Sequence, residues 1–279
     1  MKLIVWCLFA MPLLAHLTVA VSIEPQRWIV SRVAGDLATV VVMQPPNATA
    51  HTFEPKPKQM IALSTAAVYL LCGVEFESVW QERFRAQNKN LVFVQTDSAI
   101  EKIGFEEHDH DDHSIDTHIW LSPRLIISQA RAIAAAFAKH DPANAEEYQA
   151  NFARLERELE SLNDAIAKKL KPFKGREFLV FHPSLGYFAH DFGLIQRSIE
   201  FEGKEPKPAQ LAEMIKTAKA SGTSVIFVER GYNSKTAQMV ANAIGARIVE
   251  IDLINGDLTA TLKTVADELV KAFGDRAKS

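Results

Sequence analysis

The chain has 279 residues, 48% of them hydrophobic and 23% charged, a balance that belongs to a folded protein and excludes a disordered one. Thirty-one Lys and Arg stand against 34 Asp and Glu for a net charge of −3, and the lack of any strongly basic stretch excludes a nucleic-acid partner. The length suits one large domain or two of moderate size.

Lys2 precedes an apolar run from Leu3 to Ala15, and His16-Leu17-Thr18-Val19-Ala20 follows, ending on small residues. A charged start, a short apolar segment and a small-residue end read as a secretory signal peptide over residues 1–20. The run is shorter than the roughly 20 apolar residues that a membrane span needs. Removing it takes away Lys2 and leaves 30 basic against 34 acidic residues, a net of −4. Cys7 leaves with the leader, so Cys72 has no internal disulfide partner and reads as a small buried residue at a strand end.

From residue 21 onward, short β-branched runs alternate with helical patterns, the signature of βα units and parallel sheets. Strands are predicted at Val21–Ile23, Thr39–Met43, Val68–Leu71 and Leu91–Val94, with helices at Gln26–Ala34, Lys58–Leu63 and Phe76–Gln87. Ser122-Pro123, a capping hydroxyl followed by a first-turn proline, starts another helix. From Asp141 to Leu170, apolar residues recur at spacings of three and four (Tyr148, Phe152, Leu155, Leu159, Leu162, Ile166, Leu170), which predicts one amphipathic helix of nearly thirty residues. Beyond it, strands fit Phe178–Phe181, Ile195–Ile199, Ser224–Val228 and Arg247–Ile251. Helices fit Pro183–Asp191, Pro208–Ala220, Ser234–Ile244 and Leu258–Ala272. Gly193, Gly222 and Gly245 stand at or just beyond three helix ends. The expected fold is therefore α/β: a lobe over 21–140, a linking backbone helix over 141–171 and a second lobe over 172–279. Each lobe is a small parallel sheet with flanking helices, and no repeat is visible residue by residue.

Four side chains have the placement that chemistry needs. His51 lies in a loop after a predicted strand, and His118 stands just ahead of the Ser122-Pro123 helix start. His182 lies between a strand and a helix, and Asp252 directly follows a strand. Open α/β sheets bind ligands beyond the carboxyl ends of their strands, so facing sheet edges would gather three imidazoles and one carboxylate in a cleft. That donor set suits Zn²⁺, whereas Ca²⁺ or Mg²⁺ would call for more oxygens. Four protein ligands leave no open position for an activated water, which favours holding the metal over catalysis. Imidazoles must be neutral to bind, so acid near pH 5–6 weakens capture. Glu229, at a strand end, could face the same cleft, and reads as a structural carboxylate.

These residues sit in recognisable surroundings: His51-Thr52-Phe53-Glu54-Pro55, His118-Ile119-Trp120-Leu121-Ser122-Pro123, His182-Pro183-Ser184-Leu185-Gly186-Tyr187-Phe188, Gly193-Leu194, and Gly245 through Ile251-Asp252. With them the sequence resembles the solute-binding proteins of bacterial zinc/manganese ABC importers, the cluster A-I type, over residues 21–273. The resemblance implies two α/β lobes on a long helix, with metal between them held by His51, His118, His182 and Asp252. It implies a periplasmic receptor rather than an enzyme, a monomer that delivers Zn²⁺ to an inner-membrane ABC permease. A periplasmic zinc chaperone is a candidate further partner. Manganese-selective members commonly have glutamate where this chain has His182, which tilts the metal to zinc with Mn²⁺ as the alternative. Two positions depart from the family pattern: Leu253 stands where Pro is frequent, and Ser122 where Asp is frequent.

The segment from Glu106 to Asp116 carries six carboxylates and His108, His110 and His113. Its composition predicts a mobile solvated loop, with an accessory zinc-collecting role for the three histidines as the functional reading. The competing functions are a manganese or mixed-metal receptor, a secreted zinc hydrolase with Glu229 or Glu54 as base, and an adhesin with a structural metal. The hydrolase would need an open metal position, and the chain lacks a His-Glu-x-x-His helix.

Overall fold

The computed structural model describes residues 16–45, 53–104, 115–200, 204–230, 235–254 and 256–276. The first lobe runs β1 (Leu17–Val21), α1 (Glu24–Ala34), β2 (Ala38–Val42), α2 (Pro57–Leu63), β3 (Val68–Leu71), α3 (Glu75–Gln87), β4 (Val92–Gln95) and α4 (Pro123–His140). A long helix, α5 (Ala145–Leu170), leads to the second lobe. That lobe comprises β5 (Glu177–Val180), α6 (Gly186–Phe192), β6 (Ile195–Ser198), α7 (Pro208–Ser221), β7 (Val225–Glu229), α8 (Lys235–Ile244), β8 (Arg247–Ile251) and α9 (Leu258–Arg276).

Among the described residues there are two four-stranded sheets, ordered β2-β1-β3-β4 and β6-β5-β7-β8, and every pairing is parallel. The two lobes thus share one topology without sharing residues. A parallel strand covered on both faces asks only for an apolar run, as in the fully buried Val68–Leu71 of β3. In each sheet the order reverses beside the first strand, so the crevices open at the carboxyl ends of β1 and β3 and of β5 and β7.

β1 corrects the sequence reading. The predicted strand Val21–Ile23 begins four residues earlier, at Leu17, inside the expected leader of residues 1–20. Its register sets Leu17 opposite Ala38 and Val21 opposite Val42 on one edge, and Val19 opposite Val68 on the other. Val19, Ala20 and Val21 are fully buried. A run of small apolar residues satisfies a cleavage site and a central strand equally well, and here the sheet uses it.

α5 follows a short 3-10 turn at Pro142–Asn144, so 26 of the predicted residues are α-helical, roughly 39 Å at 1.5 Å per residue. Its buried stripe is Tyr148, Phe152, Leu155, Leu159, Ile166 and Leu170. In the first lobe it packs on α1 and α4, where Asn151 donates to the Val33 carbonyl at 2.9 Å and Arg32 pairs with Glu158. In the second it packs on α9, with Lys169 and Asp267 2.5 Å apart. One continuous core therefore runs from Val19 and Tyr69 through Leu155 and Leu159 to Phe178, Phe227 and Phe273. The opposite face of the second sheet has its own core, in which Leu179, Phe181, Ile226 and Val228 meet Val240, Ala241 and Ile244 of α8.

Local signals end the helices as expected. Ser122 caps α4 by accepting from the Leu125 N–H at 3.2 Å, and Gly193 and Gly222 close α6 and α7 with φ of 67° and 70°. Cys72 is buried directly after β3.

Candidate metal centre

The site is best built from the second lobe. β5 ends at Val180, and the short stretch Phe181–Leu185 crosses the crevice before α6 starts at Gly186, three residues later than predicted. His182 lies on that stretch and is 5% exposed. Glu229, the last residue of β7, accepts from the Ser184 hydroxyl at 2.5 Å, so this carboxylate pins the turn that carries His182. Behind the ring, His182 Nδ1 meets Glu200 Oε2 at 3.3 Å, and Glu200 itself is held by a bond from its N–H to the Phe181 carbonyl.

His118 comes from the first lobe. An antiparallel bridge between Gly104 and Ile115 brings the chain back, and Asp116 donates its N–H to Ile103 O at 2.9 Å. Asp116 Oδ1 then accepts from both the backbone N–H and the Nδ1 of His118, each at 2.8 Å. Asp116 is 1% exposed. It belongs to the segment whose composition predicted a solvated loop, and the structure corrects that for its last carboxylate. Nothing local could have shown this, because the groups that bury Asp116 are about seventy residues away. The Tyr187 hydroxyl donates to the Asp116 carbonyl at 2.8 Å, and burial pushes that phenol up to about 12, so it remains a donor. Gly186 faces Asp116 Oδ2, where an added Cβ would stand 2.5 Å away.

These two lobes bring His118 and His182 together. Their ring centroids are 5.1 Å apart at an interplanar angle of 71°, and the Trp120 ring also stands 5.1 Å from His118. Two imidazole nitrogens bound at roughly 2.0–2.1 Å to one tetrahedral ion lie about 3.3 Å apart, a separation that edge-to-face rings at this distance can reach.

Asp252 follows β8 on the loop beside them. The Trp120 indole donates to the Leu253 carbonyl at 3.0 Å, tying this loop to the one that carries His118. The Asp252 carboxylate accepts from the Ile254 N–H at 3.2 Å and stands 3.4 Å from the Arg230 guanidinium. His51, and the accessory candidates His108, His110 and His113, lie outside the described residues. Two residues past His51 in sequence, Phe53 is buried in an edge-to-face contact with Phe76, 4.9 Å between centroids. Among the described residues, no three His, Cys, Asp or Glu side chains converge as a metal site. His140 ends α4, and His190 is exposed near the end of α6.

The sequence reading missed Asp116 and Glu200 as partners of the two imidazoles. A signal existed only for Asp116, a carboxylate two residues before a histidine. Glu200 is eighteen residues from His182 and reaches it only because β6 pairs with β5.

Comparison with known proteins places this geometry. Residues 19–272 match the family described as "ZnuA: Zinc-uptake complex component A periplasmic". The chain is 29% identical over 254 residues to the high-affinity zinc uptake system protein ZnuA of Bacillus subtilis, covering 86% of this chain and 79% of that one. It is 28% identical over 265 residues to the protein of the same name from Yersinia pestis, covering 86% and 83%. Its fold superposes on a crystal structure of ZnuA with a TM-score of 0.86 and 38% identity, over 92% of this chain and 99% of that one. The chain belongs to the ZnuA family of periplasmic zinc-uptake components.

Proposed function

We propose that this chain captures Zn²⁺ between its lobes with His51, His118, His182 and Asp252 and hands it to an ABC permease. The observation that carries the reading is the pair of buried imidazoles, one from each lobe, 5.1 Å apart. Asp252 lies on a loop tied to that of His118, and His51 precedes the buried Phe53 by two residues in sequence. With four protein donors the ion has no vacant position for an activated water, so the site suits binding without turnover. His182 in place of a carboxylate favours zinc over manganese. The partners expected are an inner-membrane permease and a periplasmic zinc chaperone, with the receptor acting as a monomer.

Export is part of the same proposal, with one revision. Cleavage after Ala20 would remove Leu17–Ala20, four of the five residues of a strand bonded on both edges. We place the cleavage after Ala15, which leaves His16 as the first residue of the exported chain. Intact-mass measurement of protein recovered from the periplasm tests it, and a start at Val21 would refute it.

Calorimetry on chelator-stripped protein tests the site. One zinc per chain is expected, and His118→Ala and His182→Ala should each weaken it by more than the roughly 10–100-fold that loss of an outer partner costs. Undiminished one-to-one binding in both variants would sink the assignment. Deleting residues 107–113 should leave this tight site intact while removing any weaker accessory binding.

A further inference from the structure

We infer that Asp116 and Glu200 are matched positioning residues, one in each lobe, that hold His118 and His182 as Nδ1–H tautomers and so aim both Nε2 lone pairs at one ion. The inference rests on the receptor reading and deepens it. A carboxylate can only accept, so in a neutral imidazole bonded to it through Nδ1 the proton must sit on Nδ1 and the lone pair on Nε2. This holds at 2.8 Å for Asp116 Oδ1 and His118, and at 3.3 Å for Glu200 Oε2 and His182. All four residues are buried, with exposures of 1%, 7%, 8% and 5% for Asp116, His118, Glu200 and His182, so water competes poorly for these bonds. A carboxylate behind an imidazole also raises the basicity of the coordinating nitrogen, which strengthens the bond to a borderline cation.

The two pairs are not equal. Asp116 Oδ1 holds its histidine through both ring and backbone, and the carboxylate is sealed beneath Gly186 of the other lobe. The Glu200 bond to its histidine is the longer one, at 3.3 Å, and Glu200 borders a cavity of about 400 Å³ between β6 and α7. Asp116 is therefore the stricter orienter, and its loss should cost more.

The first test uses the unaltered protein. Long-range ¹H–¹⁵N correlation spectra of the metal-free chain, at a pH where imidazoles are neutral, should show His118 and His182 as Nδ1–H tautomers. Either ring found as the Nε2–H form overturns the inference. In calorimetry, Asp116→Ala should weaken zinc about 10–100-fold and Glu200→Ala less, toward the lower end of that range. Asp116→Asn keeps an acceptor oxygen for the ring and should recover the Nδ1–H tautomer and part of the affinity. Affinities within twofold of the parent for both alanine variants, or Asp116→Asn as weak as Asp116→Ala, would refute it. A parent protein that binds no zinc would instead sink the receptor reading, while the tautomer measurement would still judge the two pairs.

Discussion

The crevice of the first lobe is occupied by a buried carboxylate, and that predicts a pH signature. Glu77, in the first turn of α3, is 5% exposed. Its Oε1 accepts from the Ser22 hydroxyl at 2.5 Å and the Cys72 N–H at 3.0 Å, and Oε2 accepts from the Gly73 N–H at 2.7 Å. Burial raises its pKa from 4.5 to about 6, and the three donors only partly offset that cost. A carboxyl so shifted binds its proton about 2 kcal/mol more tightly in the fold than in the open chain. Because the folded value is the higher one, this stabilisation is complete below about pH 4.5 and is lost as pH rises through about 6. Glu77→Gln removes the titration. Its amide can donate to Ser22, whose hydroxyl can turn toward Tyr69 at 3.0 Å, but one backbone donor loses its best acceptor. That costs about 1–3 kcal/mol at every pH. Urea unfolding of both metal-free proteins from pH 4 to 7.5 separates the two effects. The stability of the variant relative to the parent should climb by about 2 kcal/mol across the window, on top of a constant offset. A difference flat to within about 0.5 kcal/mol would refute the assignment of a raised pKa to Glu77.

Two further substitutions probe the contact between the lobes. Gly186→Ala would drive a methyl against Asp116 Oδ2, and overpacking of this kind costs about 1–3 kcal/mol. Differential scanning calorimetry of the metal-free protein should register a lower Tm, and zinc affinity should fall with it; an unchanged Tm would mean that Asp116 yields freely. Ser122 donates to Asp191 Oδ2 at 2.5 Å while capping α4, and the Asp191 side chain is 2% exposed. Ser122→Asp would keep the cap but set two carboxylates together, so it should lower Tm, and adding Asp191→Asn should restore most of the loss. A neutral Ser122→Asp would show that the two lobes separate there without cost.

Features written in local periodicity were legible. The stripe from Tyr148 to Leu170 predicted α5, and the Ser122-Pro123 signal placed the start of α4 to the residue. His118 and His182 stood out because each flanks a change from one element to the next. What stayed hidden depends on distant partners or on residues that serve two readings. Leu17–Ala20 reads as the end of a leader until its pairing with β2 and β3 is known. Asp116 reads as one of six solvated carboxylates until Tyr187 and Gly186 cover it. Glu77 lies in the predicted helix Phe76–Gln87 with no local mark of burial, and it is the β1 and β3 ends that close over it.

That last point explains an asymmetry in the site. Both sheets have the same strand order, yet only the second uses its crevice for a predicted ligand, with His182 following β5 and Glu229 bracing it from the end of β7. In the first lobe the equivalent place, beyond β1 and β3, holds Ser22, Cys72 and Glu77 bonded to one another. Under the proposed assignment its donors come from outside the crevice, from the segment after β2 that contains His51 and the return after β4 that carries His118. Each of these stretches is followed or preceded by a fixed point: Phe53 packs on Phe76 two residues after His51, and Asp116 bonds His118. The same division bears on release. Closing or opening the lobes as rigid bodies would disturb the core that runs along α5 from Tyr69 to Phe273, whereas the bonds that hold the His118 stretch, from Asp116 and to Leu253 through Trp120, are few and local.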